Sequence, residues 1–144
     1  MTSFARQRMD PFLPPLLRRL AHSIFRIYYN MGDCLFCKIV SGDAKADIVY
    51  KDEHVTAFRD IHPVAPTHIL IVPNRHIDSV GTLTEADEAI AGRLLLTARK
   101  LAEQEGIADK GFRVITNTGP HGGQTVPHLH IHLIGGQHMR HPMG

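Results

Sequence analysis

From residue 128 the chain alternates histidine with apolar residues: His128-Leu129-His130-Ile131-His132-Leu133-Ile134. Period-two alternation predicts a half-buried β-strand whose successive side chains point to opposite faces. On that expectation Leu129, Ile131 and Leu133 face a core, and His128, His130 and His132 line one exposed ridge. Similar apolar or alternating runs predict strands over residues 48–51, 55–59, 68–72 and 112–117, with the histidine strand covering 126–134. Asp52-Glu53-His54 separates the first two at hairpin-like spacing. Pro73 and Asn74 stop the third. Pro127, which lacks an N–H for a central ladder, trims the last to about His128.

Residues 84 to about 105 carry the one long helical pattern. Ala86, Ile90, Leu94, Ala98 and Leu101 recur on one face. Thr84 is a fitting N-cap, Glu85, Asp87 and Glu88 put acids in the first turn, and Gly106 is a fitting stop. Strands, then one helix, then strands predict an α+β fold with a five-stranded, largely antiparallel sheet.

The 144 residues are 43% hydrophobic and 21% charged, which fits one globular domain. No run of about 18 apolar residues is present, so no span is expected to cross a membrane. The net charge of +2 is uneven. Residues 1–32 hold five arginines and one acid, whereas residues 33–144 hold 11 Lys and Arg against 13 Asp and Glu. The body is mildly acidic and offers no basic surface to nucleic acid. Residues 1–32 are thus expected to be a basic extension. One reading of Leu16, Leu20, Ile24, Ile27 and Tyr28 is an amphipathic helix that touches a membrane or acts as an address. The favoured one is an upstream extension of little structure, with Met31 as the natural start. The cysteines, Cys34 and Cys37, form one Cys-x-x-Cys, which suits a metal or a redox pair, or two buried thiols, in a reducing cytoplasmic setting.

Three imidazoles on one face suggest metal ligation, or the handling of protons and phosphate near neutral pH. Just upstream, residues 117–125 hold Asn117, three glycines including Gly123, then Gln124 and Thr125. Glycines let backbone N–H groups approach a ligand, so the loop is a candidate phosphate cradle.

Residues 128–134 match every position of the histidine-triad (HIT) motif, His-φ-His-φ-His-φ-φ with φ apolar. Phe58-Arg59-Asp60-Ile61, Ala65-Pro66-Thr67-His68, Ile71-Val72-Pro73 and His76-Ile77 resemble that family's nucleotide-binding half. The Gly135-Gly136 ending resembles its Hint branch. The resemblance covers about residues 33–144. It implies a HIT-like fold with sheets joined across a homodimer, and cleavage of purine nucleoside 5′-phosphoramidates without a catalytic cofactor. His130 would attack the α-phosphorus, and water would hydrolyse the nucleotidyl-histidine. His132 would contact the phosphate or bridging atom, with His68 approaching from the facing strand. Gln124 and Thr125 would bind phosphate oxygens or help the leaving amine. Asp60 would hold the ribose hydroxyls, although a turn cap is the plainer role for it. Asn117 would sit near the 5′ phosphate with Gly123 in the loop beside it. Phe36, Ile39, Phe58 and Ile61 would sandwich the base, although such residues are commonly just core.

Cys34 and Cys37 also resemble the zinc-binding start of some HIT proteins, which implies a structural zinc with His76 and His128 as the other ligands. The chain departs from the Hint pattern at Pro127 and His141, on the side that receives the leaving group. Other readings are a dinucleoside polyphosphate hydrolase or nucleotidyl transferase, a nucleotide-binding scaffold, and a metal enzyme using His128, His130 and His68.

Overall fold

The structure is a computed structural model that describes residues 33–140. The basic extension 1–32, including its alternative helical reading, and the divergent His141 lie outside the described residues. No helix among the described residues is long and apolar enough to cross a membrane.

The first element among the described residues is a short helix, α1 (Leu35–Ser41), which the strand-centred reading of the sequence missed. The cause is visible in its spacing. Phe36, Ile39 and Val40 form an apolar stripe one turn long, too short for a periodicity test, and Cys34 is the N-cap through a sulfur that accepts the Cys37 N–H. Gly42, at φ 88°, ends it in the left-handed conformation that favours glycine.

Strands β1 (Ile48–Lys51) and β2 (Val55–Arg59) follow as a hairpin, then β3 (Thr67–Pro73). Two 3-10 turns lead into α2 (Glu88–Gln104). β4 (Phe112–Ile115) and β5 (Ile131–Gly135) complete the described chain. These five strands form one antiparallel sheet, as expected, and its order is β1-β2-β3-β5-β4.

The expected helix is divided. Glu85–Asp87 is a 3-10 turn, and regular α-helix starts at Glu88. Asp87 causes the step: its carboxylate accepts the Thr84 N–H at 2.9 Å and is held by Arg75. Gly106, at φ 70°, closes the far end with its N–H on Glu103 O.

α2 covers one face of the sheet. Leu94, Ala98 and Leu101 pack on Val55, Ala57, Ile69, Ile71, Leu129, Ile131 and Leu133, every one of them buried. The other face carries a smaller cluster in which α1 lays Phe36 and Ile39 on Phe58, Leu70 and Val72. The period-two pattern of β2, β3 and β5 is therefore read out on two covered faces. Arg59, at the end of β2, grips Glu105 with two hydrogen bonds of 2.9 and 3.1 Å and so pins the end of β2, just before Asp60, to the end of α2.

The main correction concerns the histidine strand. The ladder begins only at Ile131, so His128, Leu129 and His130 precede it as irregular chain. Pro127 cannot donate, and the Leu129 N–H is drawn to Ile77 O at 2.6 Å, away from the strand partners. His128 and His130 are buried, so no exposed ridge of three rings exists.

Leu101 is fully buried between α2 and the sheet, far in sequence from every candidate site residue. Leu101→Ala is expected to cost about 2–5 kcal/mol, read as a lower urea midpoint at unchanged slope.

Candidate active site

The site is built where β3 lies beside β5. Their register sets His132 opposite Leu70 and His68 opposite Ile134, so the two rings meet diagonally on one face. His68 Nε2 lies 2.9 Å from His132 Nδ1. The tautomers follow from the donors. The Val64 N–H donates to His68 Nδ1 at 3.2 Å, so a neutral His68 carries its proton on Nε2. That Nε2–H donates to His132 Nδ1, with Asp60 Oδ2 3.3 Å away as a second acceptor. His132 is then left with its proton on Nε2. Burial, helped by the neighbouring imidazoles of His130 and His68, pushes His132 down to about 4. Burial also lowers His68, while the Asp60 carboxylate pulls the other way.

Asp60, His68 and His132 bring potential ligand atoms close together. A metal on His68 Nε2 would require the ring proton on Nδ1, where the Val64 N–H already points. The trio is therefore suited to hydrogen bonding, and the metal-enzyme reading that draws on His68 has no support in this geometry.

His130 is held differently. Its Nδ1 sits 2.7 Å from His128 O. A carbonyl only accepts, so Nδ1 carries the proton and Nε2 keeps a bare lone pair. Phe36 packs edge-on against the ring with centroids 5.2 Å apart. Thr116 Oγ1 donates to His130 O at 2.9 Å and fixes the backbone there.

Next to it, Cys34, Cys37, His76 and His128 converge. His128 Nδ1 is 3.3 Å from Cys34 Sγ and 3.5 Å from Cys37 Sγ, and His76 Nδ1 is 3.3 Å from Cys37 Sγ. Both rings turn an unprotonated Nδ1 to the sulfurs, because each Nε2–H is taken up elsewhere: His128 on Pro73 O and His76 on Asp78 Oδ1, at 2.9 and 2.8 Å. Burial, then the nearby Cys34, raises the Cys37 thiol to about 12, and burial drives His128 down to about 4. Two sulfurs and two imidazole nitrogens converging in this way are the donor set of a closed structural zinc site.

The remaining candidates are scattered in role. Phe36, Ile39 and Phe58 are core residues with their faces covered, whereas Ile61, in the loop after β2, is 84% exposed. The four do not form one open sandwich. Asp60 Oδ1 accepts the His62 N–H at 2.8 Å, which is the turn-capping role, while Oδ2 faces His68. Gln124 has all its groups on backbone: Oε1 accepts from Gly119 N, and Nε2 donates to Asp78 O and Val126 O. In this state it fastens the glycine loop. Thr125 and Gly123 are exposed on that loop, and Asn117 is half-buried at its start. Sequence reasoning missed Asp78, Val64 and Thr116. Only Asp78, two residues past a candidate ligand, left a signal.

The family model for the HIT domain matches residues 41–139. The chain belongs to the HIT family. The chain is 52% identical over 105 residues to the purine nucleoside phosphoramidase of Escherichia coli K12, covering 73% of this chain and 88% of that protein. It is 48% identical over 115 residues to a 14 kDa zinc-binding protein of Brassica juncea, covering 78% of this chain and all of that one. A HIT family hydrolase from Legionella pneumophila superposes with a TM-score of 0.76 at 44% identity, over 78% of this chain and 100% of that one. This HIT protein is a hydrolase with the α+β fold of those neighbours.

His132 and His68 are both depressed from an ordinary value of 6.5. Below that value the unfolded chain binds more protons than the folded one, so stability is complete above about pH 6.5 and falls as pH drops toward 4. Urea unfolding across pH 4–8 should show that slope, and His132→Gln should make it shallower, with the depressed His68 and His128 supplying the remainder.

Proposed function

We propose that the chain hydrolyses the P–N bond of purine nucleoside 5′-phosphoramidates, of the AMP- or GMP-amine type, including AMP-lysine. The observation that carries this reading is the ring of His130. Its Nδ1–H is spent on a backbone carbonyl and its Nε2 lone pair is left bare, so it is a nucleophile that needs no separate base. The Escherichia coli relative supplies the P–N class.

In this scheme His130 Nε2 attacks the α-phosphorus and the P–N bond breaks with its electron pair going to nitrogen. The nitrogen takes one proton from solvent and leaves as the amine. Water then attacks the phosphorus of the nucleotidyl-histidine, returns one proton to solvent, and releases the nucleoside monophosphate and free His130. The Nε2–H of His132 is the donor for a phosphoryl oxygen or the bridging nitrogen, and His68 keeps His132 in that tautomer. Asp60 serves the ribose hydroxyls, and Asn117, Gly123 and Thr125 serve the phosphate. Gln124 joins them only by exchanging a backbone partner.

No metal takes part in those steps. Cys34, Cys37, His76 and His128 would hold one structural zinc, whose positive charge lets the two thiols ionise and ties α1 to the triad. Thiols kept reduced for that purpose suit a cytoplasmic location. Residues 33–144 form the catalytic domain in this reading, with 1–32 as a basic extension. Two such domains pair as a homodimer. The support for pairing is that β4 is an edge strand, with Phe112 exposed on it, and that Leu95 and Leu96 are exposed on α2.

Hydrolysis of adenosine 5′-phosphoramidate in EDTA tests the reading. The wild type should turn over, and His130→Ala should lose on the order of 10³-fold or more in kcat. Turnover by His130→Ala at the wild-type rate would overturn the covalent-histidine mechanism. Cleavage of diadenosine polyphosphates in preference to the phosphoramidate would move the substrate class.

Metal analysis tests the cluster separately. Purified protein should carry about one zinc per chain. Cys34→Ser with Cys37→Ser should carry none and melt lower.

A further inference from the structure

Asp78 lies outside the four cluster residues and outside the triad, yet it touches both the cluster and the glycine loop. Its side chain accepts the Nε2–H of His76 at 2.8 Å. Its main-chain oxygen accepts from Gln124 Nε2 at 2.7 Å. Gln124 in turn closes the glycine loop, since its Oε1 takes the Gly119 N–H at 3.0 Å and its own N–H returns to Gly119 O at 3.0 Å. Gly122 leaves this loop no slack: a Cβ there would sit 2.4 Å from Thr118 O.

We infer that Asp78 is a positioning residue that couples the Cys₂His₂ cluster to the glycine loop. This inference rests on the reading of that cluster as a metal site. The side chain does two things for His76. It keeps the ring proton on Nε2, so Nδ1 faces Cys37 as a lone pair, and its charge makes that lone pair a better donor. An ion held by the cluster then fixes His76, His76 fixes Asp78, and the Asp78 carbonyl fixes Gln124. The steps from His76 to the Asp78 side chain and from the Asp78 carbonyl to Gln124 are hydrogen bonds, joined through the covalent frame of Asp78. His128 reaches the triad by a separate route, through its own carbonyl to His130. The cluster is thus linked to both the nucleophile and the phosphate loop, and Asp78 belongs only to the second link.

The test uses full-length protein and zinc alone, competed against a chromophoric chelator. Asp78→Ala is expected to bind zinc about 10–100-fold more weakly than wild type. Asp78→Asn keeps an acceptor oxygen but not the charge, so it should fall between the two. The Asn variant, close in shape to aspartate, carries the test if the Ala variant does not fold. The second readout is amide exchange at Gly119 and Gln124. Zinc should slow it in the wild type and fail to slow it in Asp78→Ala at saturating metal. Wild type that binds zinc, with both variants within about twofold of it, overturns the role of Asp78 and leaves the cluster standing. Equal zinc protection of the loop in wild type and Asp78→Ala overturns the coupling. Wild type that binds no zinc removes the metal reading and this inference together.

Discussion

His128 is fully buried, and a buried imidazole must find partners for both ring nitrogens and for its own backbone. Its Nε2–H goes to Pro73 O at the end of β3, its Nδ1 to the sulfurs at the start of α1, and its carbonyl to His130 Nδ1. Three contacts to other parts of the chain therefore meet on one residue. The Pro73 contact decides the tautomer, the tautomer decides what faces the cysteines, and the position of the ring decides where the carbonyl points. The orientation of His130 is a consequence of how the residue two places before it is satisfied.

The second fixed quantity is the register of β3 against β5. His68 and His132 come within 2.9 Å because they occupy diagonal positions on the same face. A one-residue slip would send His132 to the α2 side and replace it with Leu133 or Ile131. The packing of Ile69, Ile71, Leu133 and Ile131 under α2 is what forbids that slip. The apolar half of the alternation thus holds the polar half in place.

Much of this was readable from residue order. The five strands, the long helix and the antiparallel sheet follow from period-two and helical spacing, because burial on two sides of a sheet imposes those periods directly. The convergence of Cys34, Cys37, His76 and His128 followed only from family resemblance, since no local pattern links residues 94 apart in sequence. What the sequence hid was of another kind. Alternation at His128 and His130 looked like a strand, but tertiary contacts with Ile77 and α1 claimed those residues before the ladder began. The seven residues of α1 are too few to show a period. Gln124 reads as a free polar donor in a glycine loop, while its partners are three backbone groups that sequence cannot display.

The acceptor that holds His130 is a main-chain carbonyl, and this has a consequence for how such a site can drift over generations. A side-chain acceptor is lost by a single codon change, whereas every amino acid at position 128 brings a carbonyl with it. Replacement there can shift the acceptor but never delete it. The proton placement on His130 is in that sense buffered against mutation, while the cysteines of the neighbouring cluster carry no such insurance. A change at either sulfur removes a contact with His128 Nδ1 and leaves that main-chain acceptor in the chain.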